Sequence, residues 1–223
     1  MPSLDVKTLQ KHVHSINPNA IIIGVSKFHT SKDIRYLHSK GIRNFGENRL
    51  QEAMEKISQL QNLMPYPAWH FIGRFQENKI RKIVELFDFI HSVDSLDIAQ
   101  KINARALQAG KTQKVLLQVN IANESSKAGF SDEQLSIDFP YISSLKNLEL
   151  VGLMAHVPQS ANPEHSRIHF KNLRSLRNSL KRHPRQLQNL SMGTSQDFEI
   201  ALEEGATMLR LGTVLFGKKM EVV

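Results

Sequence analysis

Ala20-Ile21-Ile22-Ile23-Gly24-Val25-Ser26-Lys27 is the stretch on which the fold turns. Residues 20–26 are apolar on successive positions, with no alternation of polar side chains. That is the pattern of a parallel strand covered on both faces, not of a sheet with one face in water. The strand runs directly into a lysine. Outward from it, Thr30 and Ser31 offer helix caps and Gly41 closes the helix after Lys40. A helix over Leu4–His14 precedes the strand.

The alternation then repeats. Strands are expected at Ile42–Phe45, Trp69–Gly73, Phe89–Val93, Val115–Ile121, Leu148–Ala155, Leu187–Met192 and Met208–Leu215. Between them lie helical patterns: Glu47–Leu63, with Leu50, Met54 and Ile57 on one face; Lys79–Leu86; a Ser95-capped helix to Gln108 stopped by Gly110; a helix from Ser131 interrupted by Pro140; Glu164–Leu180; and a Ser195-capped helix ending before Gly205. Strands alternating with helices define an α/β protein with a parallel sheet. Eight strands favour closure into a (β/α)8 TIM-type barrel over an open doubly wound sheet. The expectation is one barrel domain over residues 1–223, carrying an extra N-terminal helix.

Composition narrows the function. At 223 residues and 40% hydrophobic content, the chain can bury one sizeable core. The absence of cysteine excludes disulfides, thiolate catalysis and cysteine metal sites. The histidines lack metal-ligand spacing, and no HExxH, GxSxG, Walker or GxGxxG motif occurs, so no metal is expected. The longest clean apolar run, Ala20–Val25, is far below membrane-spanning length, and Met1–His14 has no signal-peptide core. A cytoplasmic monomer without membrane contact is expected. The net charge of +8 comes largely from Arg167, Lys171, Arg174, Arg177, Lys181, Arg182 and Arg185, a solvated helix face. Nucleic-acid binding through that helix is an alternative, unsupported by any aromatic platform or known motif.

In such barrels chemistry sits where strands run into helices. The first strand delivers Lys27, and a partly buried amine there is nucleophilic towards an aldehyde. The plainer reading is a solvated surface lysine. The seventh strand delivers Ser191-Met192-Gly193-Thr194-Ser195 and the eighth Arg210-Leu211-Gly212-Thr213, two small-residue turns rich in hydroxyls and backbone N–H groups. Barrels often hold phosphate at these two loops, although capping alone also explains such residues. Arg210 stands in an otherwise apolar strand and needs a partner, either a structural carboxylate or a ligand atom.

Together these pieces resemble the pyridoxal phosphate homeostasis protein family. The resemblance runs through Gly24-Val-Ser-Lys27, Asn44-Phe-Gly-Glu-Asn-Arg-Leu-Gln-Glu-Ala53, Trp69-His-Phe-Ile-Gly73 with Gln76 and Asn78-Lys79, Gln118-Val-Asn-Ile121 with Ser126-Lys-Ala-Gly129, Gly152-Leu-Met154, Leu190-Ser-Met-Gly-Thr-Ser195, and Arg210-Leu-Gly-Thr213 with Phe216-Gly217. It implies a barrel like the N-terminal domain of alanine racemase, with pyridoxal 5′-phosphate (PLP) as a Schiff base on Lys27. It implies a phosphate cup from Ser191, Gly193, Gly212 and Thr213, and Arg210 facing the pyridine nitrogen. Asn48 and Met154 would lie near the ring and His70 at the mouth. Arg74 stands where the family usually has proline, and His156 where an apolar residue is common.

PLP binding does not imply catalysis. A racemase of this class needs a second domain and a tyrosine base, and none of Tyr36, Tyr66 and Tyr141 is expected at a strand end. An arginine opposite the ring nitrogen keeps it unprotonated and makes the ring a weak electron sink. The expectation is a non-catalytic protein of PLP homeostasis that releases or delivers its cofactor by transimination or hydrolysis, with PLP-dependent apoenzymes as recipients. A low-activity racemase-like enzyme is the first alternative. Lys79 and Lys127 are candidate secondary amines or phosphate contacts near the opening, or plain surface residues.

Overall fold

The computed structural model describes residues 5–122, 124, 127–158, 160–180 and 186–217. Its eight strands form a closed barrel in sequence order: β1 (Ile21–Val25), β2 (Asn44–Glu47), β3 (Ala68–Phe71), β4 (Phe89–Val93), β5 (Gln113–Val119), β6 (Leu148–Ala155), β7 (Asn189–Ser191) and β8 (Met208–Leu211). All neighbours are parallel, and β8 closes on β1 through Ile21↔Met208 to Gly24↔Leu211. Nine helices lie among the described residues: α1 (Val6–Ile16), α2 (Ser31–Ser39), α3 (Leu50–Leu60), α4 (Ile80–Leu86), α5 (Leu96–Gln108), α6 (Asp132–Ser143), α7 (Arg167–Leu180), α8 (Phe198–Glu203) and α9 (Thr213–Phe216). The (β/α)8 barrel with its extra N-terminal helix is therefore present. The expected start of α1 at Leu4 lies outside the described residues.

Two apolar clusters follow from strand alternation. Ile22, Leu117 and Leu209 belong to the large core between sheet and helices. Their sequence neighbours Ile23, Leu116 and Met208, with Val151 and Met154, form a separate cluster on the other face, inside the barrel. Local signals place the helices against this frame. Thr30 and Asp33 form a reciprocal capping box on α2, and Gly41 turns the chain at φ +99°. Ser95 caps α5 by accepting from the Ile98 N–H.

Several boundaries differ from expectation. β2 ends at Glu47 and α3 begins only at Leu50, so Glu47 closes a strand and does not open a helix. Met54 is partly exposed, and the buried face of α3 is Leu50, Ala53, Ile57 and Leu60. Pro140 is carried inside α6, where Leu135, Phe139 and Ile142 hold the helix to the core. Ser195 does not cap the helix after β7. Its Oγ accepts from the N–H groups of Gly212 (3.1 Å) and Val214 (3.3 Å), tying the loop after β7 to the start of α9. β8 stops at Leu211 because α9 starts at Thr213.

The basic face of α7 is partly neutralised. Arg167 pairs with Glu164, Glu203 and Glu204, and Arg174 with Glu204. Lys181, Arg182 and Arg185 lie outside the described residues. No helix among the described residues is long and apolar enough to cross a membrane.

Candidate functional site

At the C-terminal ends of the strands two cavities open side by side, of about 710 and 330 Å³. Arg74, His156, Thr194 and Arg210 line both. The larger is walled by Lys27, Asn48, Gly212 and Thr213, the smaller by Gly193, Lys127 and Asp197. Lys79 lines a further hollow of about 300 Å³ next to Asn48 and Arg74. Most of the residues expected around a ligand thus converge on one mouth.

Lys27 is exposed there, not partly buried, with Nζ 5.5 Å from the centre of the Phe28 ring. Phe28 has φ +65°, a left-handed conformation costly for a non-glycine residue and typical of sites whose surroundings over-determine the backbone. Those surroundings are a buried charge cluster. Lys56 Nζ donates to Glu47 Oε1 (2.6 Å) and to the carbonyl of Ser26 (2.7 Å), while Ser26 Oγ donates to the same Glu47 oxygen (2.6 Å). The Phe28 N–H donates to Glu52, 3.5 Å from Lys56. Residues 26 and 28, flanking Lys27, are thereby fixed from below. Burial raises the Glu47 carboxyl above its ordinary range, with Lys56 opposing.

Arg210 is buried, and its protein partners are carbonyl and hydroxyl oxygens, with no carboxylate bonded to it among the described residues. Nη1 donates to Ser191 O (2.7 Å) and Ser191 Oγ (2.8 Å), and Nη2 to Ala155 O (2.9 Å). Burial lowers it to about 10, with Asp197 opposing, so it stays charged at neutral pH. A guanidinium only donates. Ser191 Oγ accepts from it and also meets His91 Nδ1 (2.9 Å). At the far end Asn44 Oδ1 can only accept, so His70 Nε2–H donates to it (3.0 Å), neutral His70 accepts on Nδ1 from His91 Nε2–H (2.8 Å), and neutral His91 accepts on Nδ1 from Ser191 Oγ. The Asn44 carbonyl thus sets both tautomers along a chain that crosses the barrel interior.

Three expected site residues lie away from the mouth. His70 is not at the mouth: β3 ends at Phe71, and Ile72, Gly73 and Arg74 reach the opening instead, while His70 is buried against Phe89 with ring centres 4.5 Å apart. Ser191, expected in the phosphate cup, lines neither cavity, and its hydroxyl is bonded to Arg210 and His91. Met154 is fully buried in the interior cluster and also lines neither. Arg49 and Gln196 line the larger cavity as well and were not singled out by the sequence, beside Thr194 and Ser195 of the small-residue turn. The family block around residues 44–53 and the Ser191–Ser195 turn carried that signal. His156 sits 3.4 Å from Arg210 Nη2, and that charge, then burial and Lys127, push its imidazole down to about 3.

Gly73 makes the Asn48 side of the mouth possible. A Cβ there would stand 2.0 Å from the Asn48 carbonyl oxygen. Gly73→Ala is expected to cost about 2 kcal/mol by forcing backbone apart, read as a lowered midpoint in urea unfolding.

The site suits an anionic, carbonyl-bearing ligand. The larger cavity carries four cations and no carboxylate in its wall. It also carries Asn48, whose buried Oδ1 has no partner among the described residues. Gly212 leaves its side open, with only Val25 atoms near a hypothetical Cβ at 3.8 and 3.9 Å.

Residues 5–220 match the family model of the alanine racemase N-terminal domain. That sets the class: a barrel of the alanine racemase type. The pyridoxal phosphate homeostasis protein of Synechocystis is 40% identical over 93% of this chain and 95% of its own length, and that of Aquifex aeolicus 41% over 90% and 87%. PipY of Synechococcus elongatus, solved with PLP bound, superposes with a TM-score of 0.87 at 37% identity, covering 95% of this chain and 99% of that one. The chain belongs to the pyridoxal phosphate homeostasis protein family.

Proposed function

We infer that this protein holds PLP as a Schiff base on Lys27 and serves PLP homeostasis as a carrier, not an enzyme. One observation supports this above the rest: a single lysine amine stands in a carboxylate-free cationic cavity, beside the Gly212–Thr213 turn. PLP in the related PipY structure supports the identity of the ligand. The cofactor supplies an electrophilic aldehyde and an anionic phosphate. The chain supplies the rest. Lys27 Nζ takes the aldehyde carbon. Gly193 and Thr213 offer backbone and hydroxyl donors to phosphate, and Gly212, whose N–H is held by Ser195 Oγ, leaves room for it. Arg210, held by three oxygens, presents a fixed positive charge towards the ring nitrogen, with Asn48 along the ring edge. A permanently protonated neighbour leaves that nitrogen unprotonated and the ring a poor store for carbanion charge.

Tyr36, Tyr66 and Tyr141 are all exposed and line neither cavity, so the chain brings no phenol base to the mouth. Lys27 would give up the cofactor when an incoming amine or water attacks the imine carbon, with PLP-dependent apoenzymes as recipients. The setting we propose is a cytoplasmic monomer of one domain. The test is an absorption spectrum of PLP-loaded protein, then borohydride reduction and peptide mapping. A reduced adduct on the Lys27 peptide is expected. An adduct on Lys79 or Lys127 instead, or none at all, overturns the reading.

A further inference from the structure

The other three cations of the larger cavity, Arg210, Arg49 and Arg74, divide into two groups about Lys27. Closed strand order sets β8, β1, β2 and β3 side by side. The Gly212–Thr213 turn after β8 therefore lies on one flank of Lys27. Arg49, after β2, and Arg74, after β3, lie on the other. Phosphate binding at the β7–β8 loops uses the first flank, and Arg210 is buried against its carbonyls. The second flank has no occupant in that scheme.

Its charge is real and largely unpaired. Arg49 lies 5.3 Å from the centre of the Phe28 ring, the ring that also carries Lys27 Nζ, so one exposed aromatic seats the lysine and the first flanking cation together. Arg49 is partly balanced by Glu52 at 3.3 Å. Arg74 is exposed and makes no ion pair among the described residues. It lines both cavities and the smaller hollow beside them. Asp94, whose carboxyl is raised chiefly by burial, feels the Arg74 charge without bonding to it. Lys127 adds a further cation on the wall of the smaller cavity.

Which anion belongs there follows from the chemistry at Lys27. An amine that displaces Lys27 must bring its nitrogen to the carbon Lys27 holds. In an α-amino acid the carboxylate carbon is two bonds from that nitrogen, so the carboxylate falls beside the lysine while phosphate occupies the opposite flank. A lysine side chain of a partner protein has no group to meet those arginines. We propose that Arg74, assisted by Arg49, is a carboxylate subsite through which free α-amino acids displace Lys27, ahead of transfer of the cofactor to an apoenzyme. This rests on Lys27 holding PLP. The step is balanced: the incoming neutral nitrogen bonds to the carbon of the protonated imine, the bond from that carbon to Lys27 Nζ breaks, and one proton passes from the incoming nitrogen to Nζ, leaving a neutral lysine amine and a protonated imine on the incoming amine. No oxidant or reductant is needed.

Two measurements decide the matter. In the first, PLP-loaded protein is mixed with glycine or glycinamide at equal free-base concentration and the Schiff-base absorbance is followed by stopped flow. The glycine-to-glycinamide rate ratio is expected to fall about tenfold in Arg74→Gln, the loss of one charge-assisted contact. An unchanged ratio overturns the subsite. In the second, saturation-transfer NMR follows acetate on the cofactor-free protein. Contact in the wild type that disappears in Arg74→Gln supports the proposal. Absence of contact in the wild type, or persistence in the variant, overturns it. The NMR arm stands whether or not Lys27 forms an adduct, so failure of the Schiff-base reading shows in borohydride mapping and failure of the subsite shows in the acetate signal.

Discussion

Acidification from pH 6.5 to 4 is expected to cost the folded barrel about 3 kcal/mol through His70 alone. The ring is completely buried, and desolvation pushes it from 6.5 down to about 3. His91 is lowered well below its ordinary value by burial first, then by His70 and Arg210. With the folded value below the unfolded one, the unfolded chain binds more protons between these limits. The stabilisation is complete above pH 6.5 and drains as pH falls towards 3. The structural reason is that each neutral ring both donates and accepts along the chain that ends on Asn44 Oδ1: a second proton on either ring removes the acceptor that its neighbour requires. Glu47 works in the opposite sense, because a raised carboxyl gains stability on protonation. The measurement that isolates the histidine contribution is therefore a comparison. Urea unfolding of wild type and His70→Gln at pH 7 and 4.5 should show a smaller loss on acidification in the variant. Equal losses would refute the assignment.

How much of this was legible beforehand depended on range. β4, β6 and α5 were read at their observed bounds, because continuous apolar runs, a Ser95 cap and a terminal Gly110 are local signals. Lys27 at a strand end and the two small-residue turns were likewise visible as sequence. The interior chain was not. His91 and Ser191 are 100 positions apart, and each alone looks like an ordinary polar residue in a strand. Only closure of the sheet brings them together. The same holds for Lys56, which helical periodicity assigns to solvent although it is buried beneath β2. Ser195 had the right chemistry for a cap, but the N–H groups it satisfies belong to α9, in a loop reached only through the barrel's neighbour order.

The Glu47–Lys56 pair gives the largest expected effect on both stability and the Lys27 loop. Glu47 and the Lys56 ammonium are buried together, and Glu47 Oε2 has no hydrogen-bond partner among the described residues. The acid is thus held by one well-bonded oxygen. Removing Lys56 leaves the buried Glu47 charge uncompensated, which typically costs about 4 kcal/mol. Lys56→Met should therefore lower the unfolding free energy by about that amount, with Glu47→Leu costing less because Lys56 keeps Glu52 at 3.5 Å. Replacing both removes the desolvation penalty along with the attraction, so Glu47→Leu/Lys56→Met should recover most of the loss, giving a large coupling energy in the double-mutant cycle. Recovery of stability is not expected to restore the loop. Lys56 also holds the Ser26 carbonyl, and with Ser26 Oγ it is the link between β2 and the residue before Lys27. Without it the strained Phe28 backbone loses its restraint on one side. The double variant should fold nearly as well as wild type yet retain PLP less tightly, read as faster loss of Schiff-base absorbance on dilution. Wild-type retention in that variant would show that the buried charges support the barrel but do not aim Lys27.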